Sequence, residues 1–336
     1  MQRPIFEVTD SIPLLGCIAF GLIDRGTNLI QVRPSSNCPL SCIFCSTNAG
    51  PKSKIRQTEY TVPIDYLVEE FTKIAALKGN DRLEAHIDTV GDPIVYPKLV
   101  ELVSKLNQVK GVETVSMQTH ASVLNEKILD KLSDAGLTRI NLSLDALDFE
   151  LAKHIANTEW YDVGKICELM KYVISCTHIK LLVSPVWVPK LNDAEIPKII
   201  QLTKKPETKN LFPPLGIQKY EIHKHGRKVK NTRPLSWRKF YQQLRNWEKE
   251  FTVKLVLNRQ DFGIHKSTML PVPYRRSEIT KVEIVGPGWL CKEKLAVTNH
   301  KDRCFTIVNA EEIPIGAKLK ARIVANKHNL FIAEPW

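Results

Sequence analysis

The chain has 336 residues, of which 43% are hydrophobic and 25% charged, and its formal net charge at pH 7 is +12. These proportions are typical of a globular protein with enough core for an enzyme, and they exclude a compositionally disordered chain. The charge is unevenly placed, because residues 217–281 carry 16 Lys and Arg against 5 Asp and Glu, whereas residues 1–216 are nearly neutral. A basic segment beside a neutral region favours a polyanionic partner, with nucleic acid as the first candidate.

An apolar run at residues 12–23 is the first element, and it superficially resembles a lipoprotein cleavage site at residues 14–17. Asp24 and Arg25 end the run after 12 residues. This is too short to cross a bilayer, which needs about 20 apolar residues. We therefore predict a buried hairpin here, no membrane partner and a cytoplasmic protein.

Between residues 29 and 221, β-branched runs alternate with amphipathic stretches. The strands are predicted at 29–33, 85–90, 113–119, 139–144, 180–188 and 215–221. The helices are predicted at 64–76, 98–106, 126–134, 163–175 and 194–204, with Asn125 as an N-cap. Strands separated by helices predict parallel βαβ units. Six such units suit an α/β fold with a partial (β/α)6 barrel, whose ligands bind at the carboxyl ends of the strands.

The last third of the chain has a different pattern. A basic loop at 223–233 precedes a predicted helix at 237–251. Five strands are then predicted at 281–285, 294–298, 303–308, 319–324 and 330–333, which is enough for a small β-barrel. The predicted domains are an N-terminal hairpin (1–28), a βα core (29–222), a basic connecting segment (223–281) and a C-terminal β-barrel (282–336).

Three of the eight cysteines, Cys38, Cys42 and Cys45, lie in a Cys-x3-Cys-x2-Cys loop directly after the first core strand. Three thiolates at this spacing can bind three irons of a cubane [4Fe–4S] cluster and leave the fourth iron open. A zinc site completed by a distant residue and three chance core cysteines are the alternatives. The other five cysteines are expected to be small buried hydrophobes. The sequence leaves open whether Cys291 and Cys304 bind an auxiliary cluster.

The loop resembles the signature of the radical S-adenosylmethionine (SAM) superfamily, a Cys-x3-Cys-x-aromatic-Cys loop after the first barrel strand. Phe44 fills the aromatic position, and the resemblance implies that it contacts the adenine of SAM. Gly91 and Asp92, followed by Pro93, resemble the family's Gly-Gly-Glu-Pro motif, which implies contact with the methionine amino group. Ser143 begins a Ser-Leu-Asp sequence that in the family contacts the SAM ribose.

This resemblance implies an enzyme with two cofactors, a [4Fe–4S] cluster and SAM. The reduced cluster would pass one electron into the sulfonium, and the resulting 5′-deoxyadenosyl radical would abstract hydrogen from a substrate. The electron would come from a donor such as ferredoxin or flavodoxin. The order of the motifs also resembles a group of archaeal predicted Fe–S oxidoreductases, for which no reaction is implied. Methylthiolation is disfavoured because only Cys17 precedes Cys38.

The C-terminal strands resemble a TRAM-type β-barrel, a small module that binds RNA. Phe331 or Trp336 could stack on bases there. The basic side chains that we predict to contact RNA are Lys224, Arg227, Lys228, Lys230 and Arg233 in the loop, and Lys318, Lys320 and Arg322 in the barrel. The leading hypothesis is a radical enzyme that modifies RNA, tRNA first. The alternatives are a radical enzyme acting on a small metabolite or lipid precursor, and a non-catalytic Fe–S or zinc protein that binds RNA.

Overall fold

The computed structural model describes residues 3–204 and 212–336. The strands are β1 (Ile5–Glu7), β2 (Gly21–Asp24), β3 (Leu29–Arg33), β4 (Glu59–Thr61), β5 (Leu83–Ile87), β6 (Val112–Thr119), β7 (Arg139–Leu142), β8 (Lys180–Val183), β9 (Val186–Trp187), β10 (Gln218–Lys219), β11 (Ile279–Pro287), β12 (Lys294–Val297), β13 (Cys304–Ile307), β14 (Lys318–Ala325) and β15 (Ile332–Pro335). The helices are α1 (Ile64–Leu77), α2 (Leu99–Asn107), α3 (Glu126–Asp134), α4 (Phe149–Ala156), α5 (Val163–Cys176), α6 (Glu195–Thr203) and α7 (Trp237–Phe251). The predicted α/β fold with a terminal barrel is confirmed.

The main sheet has six strands in the order β2-β3-β5-β6-β7-β8. Strand β2 is antiparallel to β3, and all the other pairs are parallel. The parallel pairs are the βαβ units expected from the alternating pattern. They bring the carboxyl ends of five strands to one edge of the sheet, where the cysteine loop also begins.

The sixth parallel strand is shorter than predicted. Leu215 bridges Val183 in parallel, and β10 then pairs with β9. Pro185 separates β8 from β9, since proline has no N–H to donate to a strand ladder. The predicted strand at 215–221 therefore forms only a two-residue ladder, although it occupies the expected place beside β8 and β9.

The helices form the outer layer of the core region, and each predicted one is found within a residue of its expected bounds. Asn125 caps α3 as predicted, its side chain accepting a hydrogen bond from the Ile128 N–H at 3.0 Å. Helix α4 was not predicted. It begins at the Asp148 N-cap and ends at Asn157, which has a left-handed conformation.

The N-terminal apolar run packs into the core, with Leu14, Phe20 and Leu22 almost completely buried. The hairpin predicted within this run stays a prediction, since the antiparallel β2–β3 pair spans residues 21–33 and joins only the end of the run to the first core strand. Within residues 3–204 and 212–336, no helix has both the length and the apolar character needed to cross a membrane. The domain boundaries at residues 28, 222 and 281 stay predictions.

The C-terminal strands close into a barrel in the order β11-β12-β13-β15-β14. Its core contains a cluster of aromatic rings, with Phe331 5.2 Å from Phe305 and 5.7 Å from Tyr274 between ring centroids. Phe331 is 0% exposed, so the prediction that it stacks on RNA bases is wrong. Its side chain lies in the barrel core, where burial of an aromatic ring stabilises the domain by about 2–3 kcal/mol.

Candidate active site

The cysteine loop lies between β3 and β4, at the carboxyl edge of the sheet. Cys38, Cys42 and Cys45 all line one cavity of about 480 Å³ that opens at this edge. The end of α4 is hydrogen-bonded to the loop. The Ser41 and Ile43 N–H groups donate to the carbonyls of Ala156 and Ile155 at 3.1 and 2.9 Å. The loop therefore presents its thiols to the cavity from a fixed backbone.

The environment of Cys45 favours a thiolate. Burial raises the pKa of this thiol, but hydrogen bonds from Thr47 and from the Ala49 N–H, together with the nearby Arg56 guanidinium, bring the net pKa below its ordinary value. The Ala49 N–H lies 3.2 Å from the sulfur. Cys38 differs, because burial and then the charge of Asp92 raise its pKa. A metal would have to displace the proton of Cys38 on binding.

Three sulfur donors on one cavity wall fit a [4Fe–4S] cluster, for which thiolate is the preferred protein ligand. In the part of the chain that the structure describes, no three His, Cys, Asp or Glu side chains meet around one point. A cubane does not need such a point, because each thiolate binds a different iron.

Gly91 is held against the cysteine loop. A Cβ added at this position would lie 2.0 Å from the carbonyl oxygen of Asn37, so only glycine fits. The next residue donates its backbone N–H to the same Asn37 carbonyl at 2.8 Å. This contact brings the loop after β5 beside the cysteines, and Thr89, Val90 and Gly91 line the cavity from it.

The side chain of Asp92 is buried beneath the cavity rather than exposed in it. Its oxygens accept hydrogen bonds from Thr119 Oγ1 at 2.7 Å and from the His120 and Ile94 N–H groups at 2.9 and 3.2 Å. Because Asp92 is only 1% exposed and does not line the cavity, its side chain is not placed to receive the methionine ammonium as expected. Asp92 instead ties the end of β5 to the end of β6, and the cavity-facing groups of this motif belong to residues 89–91.

His120 was not singled out from the sequence as a site residue. Its Nε2 lies 3.7 Å from Cys42 Sγ, and its Nδ1 lies 3.6 Å from the Asp92 carboxylate. Burial alone would lower the pKa of this imidazole, but the Cys42 and Asp92 charges raise it well above its ordinary value. Its sequence signal was its position at the end of the third parallel strand.

The far wall of the cavity is polar. Gln118 Nε2 donates to Ser143 Oγ at 2.8 Å, and both side chains line the cavity, as does Phe44. Asp145 lies beside them, and its burial raises its pKa. His86 is held by Ser116 at 2.7 Å, and its burial lowers the pKa of its imidazole. The structure thus brings Phe44, Gly91 and Ser143 to the same cavity as the three cysteines.

The basic side chains of the loop 223–233 differ in their surroundings. Arg227 is directed into the cysteine loop, its guanidinium donating to the backbone carbonyls of Cys42 and Ala49 at 3.1 and 2.5 Å. Both Nη atoms are engaged there, but Arg227 also lines the open groove beside this loop, so its predicted contact with RNA stays a prediction. The remaining basic side chains of the loop are exposed, and they are Lys224, Lys228, Lys230 and Arg233.

An open groove of about 760 Å³ passes from the cysteine loop to this basic loop. It begins at Ile43, the residue after Cys42, and its basic lining comes from His154, Lys190, Arg227, Lys228 and Lys230. The lining contains no acidic side chain within the described residues. The groove is therefore electropositive along its length.

The basic residues predicted on the terminal barrel lie on β14, and two of them have acidic neighbours. Lys318 is 3.8 Å from the carboxylate of Glu283, and Arg322 is paired with Glu334. The Arg322 guanidinium also lies over the ring of Trp336, 5.0 Å from its centroid. Lys320 is exposed. This face is less basic than its lysines and arginines alone indicated.

The remaining cysteines have varied surroundings. Cys17 and Cys304 are buried, and burial raises the pKa of Cys17 to about 11 and also raises that of Cys304. Cys167 is partly buried, whereas Cys176 and Cys291 are exposed, so the expectation that all five are buried is wrong for these two. With Cys304 buried and Cys291 exposed, the two do not form an auxiliary cluster site within the described residues.

Comparisons with known proteins show which family the chain belongs to. Residues 32–203 match the family model of the Radical SAM superfamily. An uncharacterized protein of Methanocaldococcus jannaschii is 40% identical, with the match covering 99% of the chain and 81% of that protein. The GTP 3′,8-cyclase of Chlorobaculum tepidum is 26% identical over 59% of the chain and 56% of its own length. The chain thus spans about half the length of the GTP 3′,8-cyclases it matches.

Two solved structures resemble the chain in fold. SuiB of Streptococcus suis bound to S-adenosylmethionine has a TM-score of 0.48 at 16% identity, covering 71% of this chain and 50% of that one. TYW1 with a lysine-pyruvate adduct bound has a TM-score of 0.48 at 19% identity, covering 73% of this chain and 81% of that one.

Proposed function

We propose that this chain, which belongs to the radical SAM superfamily of enzymes that use a [4Fe–4S] cluster and SAM, acts on an RNA. The first candidate is tRNA. The observation that carries this proposal is the electropositive groove leading to the cysteine loop. Phosphate backbones bind such grooves through release of condensed counterions. An RNA held there would have nucleotides beside the cavity that contains the cysteines.

The cavity and the groove meet at the cysteine loop. Ile43 lines the groove, while its neighbours Cys42 and Phe44 line the cavity. A nucleotide turned out of an RNA strand at this point would enter the cavity beside the cluster. Enzymes that modify bases commonly take the target nucleotide out of the stack in this way.

An exposed aromatic pair at the start of α7 adds a second feature suited to RNA. Trp237 and Tyr241 stack at 5.7 Å between centroids and are 55% and 37% exposed. The Lys219 ammonium lies 4.7 Å from the centroid of the Trp237 ring. Lys219 itself lines the cavity, so the pair stands at the cavity's rim. Single-stranded nucleic acids bind surfaces that combine positive charge with aromatic rings.

The chain's own residues supply binding and orientation. Cys38, Cys42 and Cys45 would hold the cluster, which together with SAM supplies a 5′-deoxyadenosyl radical after one-electron reduction. The electron would come from an external donor such as a ferredoxin or flavodoxin. Phe44 and the hydrogen-bonded Ser143 would orient the nucleoside part of SAM. His86, which lines the same cavity, would contact the substrate.

Replacing Trp237 and Tyr241 together with Ala should weaken tRNA binding by about 5- to 150-fold, because one stacked base contributes about 1–3 kcal/mol. The measurement is fluorescence anisotropy of labelled tRNA at fixed low salt. Trp336→Ala is the comparison variant, since this tryptophan is 66% exposed but lies on the terminal barrel. We expect Trp336→Ala to bind as wild type does, and the opposite ranking would move the stacking site to the barrel.

The rival proposal is a radical enzyme acting on a small metabolite. The polar wall of Gln118, Ser143 and Asp145 favours it, because a free nucleotide could bind there as well. The GTP 3′,8-cyclases among the relatives are named for such a substrate. If wild-type protein shows no measurable tRNA binding even at low salt, the metabolite becomes the preferred substrate and the RNA proposal fails.

A further inference from the structure

Three arginines from distant parts of the chain donate to the backbone of the cysteine loop and the residues that follow it. Arg3 precedes β1, Arg56 precedes β4, and Arg227 lies in the basic loop. The carbonyls that accept their hydrogen bonds belong to Cys42, Thr47, Ala49, Gly50 and Ser53. We call Arg3, Arg56 and Arg227 the arginine clamp.

Arg56 is the buried member of the clamp, and its side chain is 0% exposed. Its Nε and Nη2 lie 3.2 and 3.1 Å from the Thr47 carbonyl, and Nη2 also donates to the Val90 carbonyl. Glu59 pairs with Arg56 at 3.2 Å and with Arg3 at 2.9 Å, so the three arginines and this one carboxylate together carry a net charge of +2. A buried guanidinium with these partners fixes the cysteine loop and the Gly91 loop relative to one another.

The terminal barrel takes part in this arrangement through Trp289. The Arg56 Cζ lies 4.4 Å from the centroid of the Trp289 ring, which contributes a cation–π contact in a desolvated setting. The Trp289 carbonyl also accepts the Gln57 N–H at 3.0 Å. The segment that joins β11 and β12 is therefore packed directly behind the cysteine loop.

Arg227 holds the opposite side of the loop. Besides its two guanidinium contacts, its backbone N–H donates to the Cys45 carbonyl at 2.8 Å. Gly226 packs closely there, since an added Cβ would lie 2.9 Å from the Ser46 carbonyl oxygen. Residues 226–227 thus pack directly on the cysteine loop, although Arg227 is 185 residues away from Cys42 in sequence.

We propose that the arginine clamp fixes the cysteine loop in its ligating conformation before any cluster binds, and raises the reduction potential of the cluster once it is bound. Reduction adds one negative charge to a cluster already surrounded by thiolates. Positive charges held nearby stabilise the reduced form more than the oxidised form. Arg3, Arg56 and Arg227 are positioning residues in this role, and the inference does not rest on the RNA proposal.

The test separates geometry from charge at Arg227. Arg227→Lys keeps the charge but loses the two-carbonyl fork, whereas Arg227→Gln loses both. Hydrogen exchange of the metal-free protein reports on residues 38–50, and an electron paramagnetic resonance titration of the reconstituted protein gives the midpoint potential. We expect both variants to exchange about 10-fold faster or more in this segment, since charge-assisted hydrogen bonds are lost. Only Arg227→Gln should show a clearly lower potential.

Two further variants complete the design. Arg245→Gln removes one exposed charge from α7 and should leave both readouts at wild-type values. Trp289→Leu removes the aromatic face behind Arg56 and should speed exchange of the loop by about 5-fold. The clamp is refuted if Arg227→Gln and Trp289→Leu both have the wild-type melting temperature, the wild-type hydrogen exchange of residues 38–50 and the wild-type midpoint potential of the cluster.

Discussion

Replacing any one of Cys38, Cys42 and Cys45 with Ala should abolish the visible thiolate-to-iron absorbance of the reconstituted protein and its cleavage of SAM. A cubane bound through three thiolates loses one of its protein ligands in each variant. We expect the yield of 5′-deoxyadenosine with dithionite to fall by roughly 100-fold or more, the scale on which changes around metal sites act. The measurements are iron and sulfide content, absorbance, and chromatography of 5′-deoxyadenosine.

Cys167→Ser is the matched control, because this thiol is partly buried on α5 and lies outside the cavity. It should keep full cluster content and lose at most a little stability. Full SAM cleavage in any one of the three loop variants would contradict the assignment of that cysteine as a ligand.

The triple variant Lys224→Ala, Lys228→Ala, Lys230→Ala should bind tRNA more weakly and with a flatter dependence on salt. Each lysine that neutralises a phosphate contributes about one to the slope of log K against log salt, so a loss of up to about three is expected. The three side chains are exposed on the basic loop beside the groove. The measurement is tRNA affinity at several salt concentrations.

Arg227 is left out of this set because its guanidinium holds the cysteine loop. The control removes three exposed lysines from the outer helices and their loops, Lys110, Lys131 and Lys171. If this control flattens the slope as much as the groove variant, binding is non-specific. If the groove variant keeps the wild-type affinity and slope, the basic loop is only a solvated surface.

The regular elements were predictable because their signals are local. Hydrophobic residues at helical spacing place α1 within a residue of its bounds, and its buried residues Leu67, Phe71 and Ile74 follow that spacing. The strand predicted at 215–221 is reduced to the short β10 because Pro185 interrupts the neighbouring strand, an effect that periodicity does not register. Helix α4 was missed since it is only eight residues long and follows directly after the β7 loop.

The candidate site was predictable only where sequence spacing reflects geometry. Cys38, Cys42 and Cys45 are close in the chain, so their spacing alone indicated a shared site. Arg227 and His120 reach the cysteine loop from 185 and 78 residues away, and no local pattern encodes such contacts. The Phe331 prediction failed for a related reason, because the sequence shows an aromatic ring just before β15 but only the closed barrel decides that this ring faces the core.

Transfer of hydrogen from tRNA to 5′-deoxyadenosine tests the account most directly. Reconstituted enzyme, SAM and dithionite would be incubated with tRNA purified from cells grown in deuterated medium. We predict 5′-deoxyadenosine that is one mass unit heavier, because the radical takes a deuterium atom from a C–D bond of the RNA. Unlabelled 5′-deoxyadenosine with deuterated tRNA, together with labelling by deuterated small molecules from the same cells, would contradict an RNA substrate.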